Sequence, residues 1–395
     1  MRPHADLKAP ARAIAAMPRS GIREVMELAS RREGVRHLEV GEPDFPTPAH
    51  IVEAAARAAA DGYTKYTPNR GLGSFVEAIC AKLAHRNGIA AEPEQVVVTC
   101  GAVGALMGAL LAVVEPGESI LLPDPGWPNY EMMAAVVGAE TITYPLEPSH
   151  GYEPDLDRLA GLAGHPRAKA IVVNSPGNPT GAVWSRETVE RVVEIARANE
   201  LYVVSDEVYE EIVFDGEHVS PATFDGDGRV VTVSGVSKTY AMTGWRIGYL
   251  AASREVAALV AKLQEPLVAC AAAVSQRAAE AALRGPQDCV ATMRDAYRQR
   301  RDVAVAALRE GGLLVSEPRG AFYILADVAR ATDDTYAFAR ALVAEHAVAV
   351  APGDTFGPAG RGLVRLSLAS ATDVIEEGIA RLAAAVEARH GSMGA

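Results

Sequence analysis

Cysteine is scarce in this chain. Cys80, Cys100, Cys270 and Cys289 are the four in 395 residues, far apart and without a CxxC pair. That argues against a disulfide framework and for reduced thiols in a cytoplasmic protein. Long apolar runs are missing too: no stretch approaches the ~20 uncharged residues that span a bilayer. The first twenty residues, "MRPHADLKAPARAIAAMPRS", hold no continuous apolar segment, so no secretory leader is expected. Basic charge is in deficit, with 38 Lys and Arg against 50 Asp and Glu and a net charge of −12. Neither nucleic acid nor an anionic membrane is therefore an expected partner. The nine histidines are scattered singly, with no HExxH or HxxxH spacing, and no metal site is read from them. Internal repeats and low-complexity blocks are also absent.

What is present is a large supply of core. Hydrophobic residues make up 49% and charged residues 22%, and the length exceeds what one hydrophobic core usually supports. From about residue 49 to 285, seven short apolar runs alternate with helical patterns: 95–99, 119–123, 141–146, 170–174, 201–206, 229–234 and 247–252. Helices such as "ALMGALLAVV" and "RETVERVVEIARANE" lie between several of them. This alternation predicts an α/β fold with a mostly parallel sheet covered on both faces. Beyond a helical region at 253–311 the pattern changes. "GLLVSEPRGAFYILADV", "VAVAP" and "LVRLSLA" read as strands, flanked by helices at 333–346 and 371–389. The expected organisation is a large domain over 46–285 and a smaller α+β domain from 1–45 and 286–395.

Ligands of open α/β sheets sit outside the carboxyl ends of the strands, so polar residues following the apolar runs are the first candidates. "VVVT" leads into "CGAVGALMG", a small-residue turn opening a helix whose free N–H groups and macrodipole suit an anion. Its glycines fall at 101, 104 and 108, matching neither GxGxxG nor a P-loop. "LYVVS" ends on Asp206, with Tyr209 three residues on. "RVVTV" leads to "SGVSKTYAMTGWRIGY", carrying Lys238 and Arg246. Most lysines after a strand are plain surface residues. One held beside other cations and away from water has a disfavoured ammonium form and becomes a usable nucleophile. If Arg246 and the helix end hold a phosphate, the phosphorylated cofactor that bonds to lysine is pyridoxal phosphate, whose ring nitrogen needs a carboxylate such as Asp206. The acids Glu207, Glu210, Glu211 and Asp215 are read as a solvated face.

"GEPDFPTP", "DPGWPNY", "NSPGNPTG", "SDEVYEEI", "SGVSKTYAMTGWRIGY" and "LVRLSLA" occur in this order over about residues 37–370. Together they resemble the class I/II, fold type I, pyridoxal-phosphate aminotransferases, most nearly the bacterial aspartate-aminotransferase-like subgroup. The resemblance implies a homodimer acting on an amino acid and a 2-oxo acid. It implies Lys238 as the Schiff-base lysine and proton carrier, Asp206 as partner of the ring nitrogen, and Tyr209 and Asn178 as partners of the cofactor's phenolic oxygen. Trp127 corresponds to the ring-stacking aromatic, and Ala102, Val103, Ser237 and Arg246 to the phosphate cup. Tyr66 matches a tyrosine reaching the phosphate of the neighbouring subunit. Arg365 matches the grip on the substrate α-carboxylate, and Gly41 a close backbone approach beside it.

Two positions depart from that pattern. Gly235 stands where many relatives carry a phosphate-binding serine. Val103 stands where subgroup members using acidic substrates often have lysine, and no arginine occurs in "QEPLVACAAAVSQ". A buried distal carboxylate without a partner is heavily penalised, so a neutral or apolar donor is expected over aspartate. Arg70 is the substitute cation to locate. Within the same fold, a β-eliminating lyase is the alternative chemistry. A non-catalytic regulator is the other alternative, disfavoured because Lys238 and Asp206 are both retained.

Overall fold

The computed structural model describes residues 9–17 and 19–393. The reading of the extreme N-terminus as leaderless therefore rests partly on residues outside those described. Twelve strands run through the described chain: β1 (Arg36–His37), β2 (Val96–Thr99), β3 (Ser119–Asp124), β4 (Glu140–Pro145), β5 (Ala168–Asn174), β6 (Tyr202–Asp206), β7 (Val230–Gly235), β8 (Gly248–Ala251), β9 (Tyr323–Asp327), β10 (Val348–Ala349), β11 (Ala351–Pro352) and β12 (Leu363–Ser367).

Seven of them form one sheet in the order β2-β8-β7-β6-β5-β3-β4. All its pairings are parallel except those of β8, which runs against both β2 and β7. Successive residues of these strands alternate between two cores. Val97, Ile120, Leu122, Val172 and Val204 face the helix Gly101–Val113 and its neighbours. Leu121, Ile171, Val173 and Val203 face the helices Leu156–Ala163 and Arg186–Ala198. A sheet buried on both faces has no polar side for the chain to alternate toward. Its strands consequently read as continuous apolar runs.

The remaining strands make two small sheets. β1 pairs in parallel with β10, and β12 lies between β11 and β9 in an antiparallel sheet. Their core is shared with the helices Asp288–Glu310 and Thr372–Met393. The expected strand over 312–328 is corrected: only β9 is laddered, and Leu314 makes a single bridge to Ala326. Pro318 has no N–H to give a ladder, and the N–H groups of Arg319 and Gly320 both donate to the Gly181 carbonyl at 2.9 Å instead. Among the described residues no helix is long and apolar enough to cross a membrane.

Candidate active site

The carboxyl ends of β5, β6 and β7 open into a cavity of about 1080 Å³. Lys238, Asp206, Tyr209, Asn178, Ser237, Arg246, Arg365, Trp127, Gly41, Ala102 and Val103 all line it. These residues come from 41 to 365 in the chain, so only the fold assembles them. Tyr66 is the exception: it is 89% exposed and does not line its own chain's cavity.

Lys238 lies in the loop after β7, and its Nζ donates to the Gly41 carbonyl at 2.6 Å. Burial pulls its pKa down to about 8, reinforced by the Arg365 and Arg246 charges and opposed by Glu42. Asp206 ends β6 and is 3% exposed. Its Oδ2 accepts from the Tyr130 hydroxyl at 2.7 Å and its Oδ1 from the Val208 N–H at 3.4 Å. Burial pushes its pKa up to about 6 against those two hydrogen bonds, and the adjacent Glu207 charge adds to the rise. Lys238 and Asp206 are therefore both held away from their ordinary charged states by desolvation. A ligand carrying complementary charge would relieve both.

Arg365 projects from β12 and is 2% exposed. Its Nη1 donates to Asn178 Oδ1 at 2.9 Å, its Nη2 to the Glu39 carbonyl, and its Nε has no partner. The guanidinium lies over the Tyr323 ring at 4.3 Å and the Phe356 ring at 5.0 Å. Desolvation lowers its pKa. A buried cation with an unused donor is a ready seat for a carboxylate. Asn178 is fixed in turn, because its N–H donates to Asn174 Oδ1 at 2.8 Å, and Asn174 Nδ2 donates to the Asp206 carbonyl at 3.0 Å. Tyr209 and Tyr323 share a hydroxyl–hydroxyl bond of 2.8 Å.

The helix Gly101–Val113 begins against β8, and two glycines make room for it. Gly101 has φ +72°, and a Cβ there would lie 2.6 Å from Arg246 Nη2. A Cβ on Gly248 would lie 2.3 Å from the Ala102 nitrogen. Arg246 itself has φ 54° and donates Nη1 to the Thr243 carbonyl at 2.9 Å. The first N–H groups of the helix, Arg246 and Ser237 thus converge on one end of the cavity, a donor set suited to phosphate. An anion cup, a buried carboxylate and a half-buried amine in one cavity fit a phosphorylated pyridine carrying a carbonyl group.

Several lining groups were not singled out from the sequence. Tyr130 and Asn174 lie inside the quoted motifs, but nothing in the spacing separates them from neighbouring core. Tyr323, Ile14, Met17, Arg19, Arg23 and Glu27 also line the cavity, and only the tertiary fold shows it. Arg70 is placed away from the site: its Nη1 donates to the Glu94 carbonyl at 2.6 Å and the Val96 carbonyl at 3.1 Å. The solvated acidic face is corrected in part. Glu207 is fully buried and Glu210 nearly so, because His218 and Lys82 pair with them.

The aminotransferase class I and II family model matches residues 33–382. Aspartate/prephenate aminotransferase of Thermus thermophilus is 38% identical over 361 residues, 90% of this chain and 92% of that protein. Aromatic-amino-acid aminotransferase 2 of Thermococcus litoralis is 36% identical over 368 residues, 92% and 94% of the two chains. The solved structure of Thermus thermophilus aspartate aminotransferase with maleate superposes with a TM-score of 0.91 at 37% identity. That superposition covers 96% of this chain and all of the other.

Proposed function

The chain belongs to the class I and II aminotransferases, fold type I transaminases that depend on pyridoxal phosphate, and from that premise we propose the following division of roles and donor preference. The amino group of a neutral or apolar L-amino acid passes to a 2-oxo acid in two successive half-reactions at the cavity around Lys238. The observation that supports this reading most is the placement of half-buried Lys238 with buried Asp206 and Arg365 in one cavity, each shifted by desolvation.

Bound pyridoxal phosphate supplies an electron sink for the bond pair released at the substrate α-carbon. Arg246, Ser237 and the N–H groups of Ala102 and Val103 hold its phosphate, Asp206 its ring nitrogen, Tyr209 and Asn178 its phenolic oxygen, and Trp127 its ring face. Arg365 takes the substrate α-carboxylate, with Gly41 close beside it, and so orients the Cα–H bond toward the Lys238 amine. With a pKa near 8, Lys238 has a usable neutral fraction at neutral pH and can carry a proton to and from that carbon. Positioned base catalysis of this kind is typically worth ~10²–10⁴-fold.

The donor preference rests on the distal wall. Val103 is 38% exposed at the cavity edge, with Ile14, Met17, Leu106 and Met132 also lining it. Arg19 and Arg23 reach the lining only from the exposed N-terminal segment, where ion pairing with a ligand contributes little. Tyr66, exposed and off its own cavity, is assigned to the cavity of a second subunit, so that a homodimer shares its sites. The division into domains, 46–285 carrying the cofactor and 1–45 with 286–395 forming the smaller one, belongs to the same reading.

The test is a panel of kcat/KM values for aspartate, alanine, leucine and aromatic donors, with Val103→Lys beside the wild type. Alanine, leucine or an aromatic donor is expected to exceed aspartate, and Val103→Lys to raise aspartate use at least tenfold relative to leucine. A kcat/KM for aspartate well above the others in the wild-type enzyme overturns the donor preference. Catalytic release of pyruvate and ammonia from a cysteine conjugate, with no oxo acid added, would instead reveal an eliminating lyase.

A further inference from the structure

The five residues Asp206 to Glu210 divide between two sides. Asp206 and Tyr209 line the cavity, whereas Glu207 is buried and the Glu210 side chain largely covered behind it. Glu207 Oε1 accepts from Ser220 Oγ at 2.7 Å, and its Oε2 is 2.9 Å from His218 Nε2. Glu210 Oε1 is 2.5 Å from Lys82 Nζ and accepts from Ser234 Oγ at 2.5 Å, while Asn87 Nδ2 donates to its other oxygen. Lys82 Nζ also donates to Asn87 Oδ1 at 2.8 Å. The partners come from the helix Gly73–Lys82 and the turn after it, from the loop at 218–220, and from β7.

Resting on the cofactor reading above, we propose that Glu207 and Glu210 are positioning residues for Asp206 and Tyr209, and that the Glu207–His218 pair sets the electric field at Asp206. Two carboxylates on consecutive residues would ordinarily destabilise each other's ionised forms. His218, with Nε2 2.9 Å from the Glu207 carboxylate and its proton affinity raised by that contact, balances the second charge when protonated and leaves Asp206 free to pair with the ligand. The charged and titratable groups facing the pair are few. Around His218 they are Glu207, Glu210 and Lys82. Around Glu207 they are Asp206 and His218. Beyond Lys82 stand Tyr249 and Glu211, the latter 3.5 Å from Arg86 Nε. Burial lowers the His218 pKa, but the Glu207 hydrogen bond and the Glu207 and Glu210 charges more than offset it, and the net shift is upward. Ligand atoms of Glu207, Glu210 and His218 lie within 4.8 Å of one another, as a metal site requires. Lys82 and the serine hydroxyls already satisfy these carboxylates, so the arrangement is read as a charge-balanced strut.

The sign of the effect separates this from ordinary structural support. Glu207→Gln removes a negative charge beside Asp206 and lowers the proton affinity of the bound cofactor. His218→Gln removes the group whose proton balances Glu207 and raises that affinity. The measurement is the visible absorption band of each reconstituted holoenzyme titrated against pH, with the dissociation constant of pyridoxal phosphate from each apoenzyme. We expect the Glu207→Gln midpoint to fall and the His218→Gln midpoint to rise, each by on the order of 0.3–1 pH unit. The double variant should return toward wild type. Ser220→Ala, which removes an anchor without changing charge, should weaken cofactor binding severalfold and leave the midpoint in place. Coincident midpoints, or shifts of the two charge variants in the same direction, overturn the proposal. If Glu207→Gln does not fold, the rise with His218→Gln and the unmoved midpoint with Ser220→Ala carry the test. Failure of the wild-type protein to form any visible band with pyridoxal phosphate overturns the cofactor reading itself, and this inference with it.

Discussion

At the scale of single residues, the site stores unfavourable electrostatics in its ligand-free form. Lys238 has a pKa of about 8 in the folded chain against 10.5 ordinarily. The unfolded chain therefore binds more protons between those values, and the contribution of this group to stability rises with pH across that window. Below about pH 8 the burial of its ammonium costs the folded apoenzyme on the order of 3 kcal/mol. Asp206 works in the opposite direction: its pKa is about 6 against 3.8, so its contribution falls as pH rises from about 4 to 6. Both penalties are in force between about pH 6 and 8. Apoenzyme carrying Lys238→Met is accordingly expected to be more stable than wild-type apoenzyme at pH 7, though inactive. The gap should narrow between pH 8 and 10.5. Denaturant unfolding of both apoproteins at pH 7, 9 and 10.5 measures it. A variant less stable than wild type at pH 7, or a gap indifferent to pH, contradicts the assignment.

At the scale of elements, the proposed phosphate cup depends on how closely the helix Gly101–Val113 meets β8. Gly248 has no side chain because the Ala102 nitrogen occupies the space a Cβ would need. Gly248→Ala must push the helix end away from the cup formed with Arg246. Overpacking of this kind typically costs ~1–3 kcal/mol, here in stability and in the placement of the phosphate donors together. Thermal melting of the apoenzyme and equilibrium titration with pyridoxal phosphate should show a lower Tm and at least tenfold weaker binding. Unchanged affinity would mean that the helix end does not hold the cofactor. The turn alone was a weak sign, because tight packing also calls for small residues after an apolar strand. Its position at a strand end marked it for attention, as it did Lys238, Asp206 and Arg246, and the six motifs in order gave all of them their roles. Glu207 and Glu210 were misread because four acids within nine residues look solvated, and their partners Lys82 and His218 are distant or unremarkable in sequence. The segment 312–322 looked like a strand from its apolar residues, yet its N–H groups found carbonyls of Leu308, Gly181 and Ile212 instead of a ladder. Periodicity reports burial, and burial alone does not fix a ladder.

At the scale of the whole molecule, one chain brings together every candidate site residue except Tyr66. Tyr66 is 89% exposed, so under the proposed shared site its hydroxyl is available to a second copy. A closed two-fold pair would place each Tyr66 in the other subunit's cavity by symmetry. The consequence can be read from mixed dimers. On the proposed reading, Lys238→Ala abolishes a site through its own chain, whereas Tyr66→Ala damages the partner's. When the two variants are unfolded together and refolded, each mixed dimer has one site with both defects and one with neither. Random assortment makes about half the dimers mixed, so about a quarter of all sites should be intact. Recovery should appear in kcat at saturating substrate with added pyridoxal phosphate, and sedimentation should give a dimer throughout. Activity of the mixture no greater than the mean of the two separate variants would confine the site to a single chain. Tyr66 would then be an ordinary surface residue, and the phosphate would be held by the Arg246 cup alone.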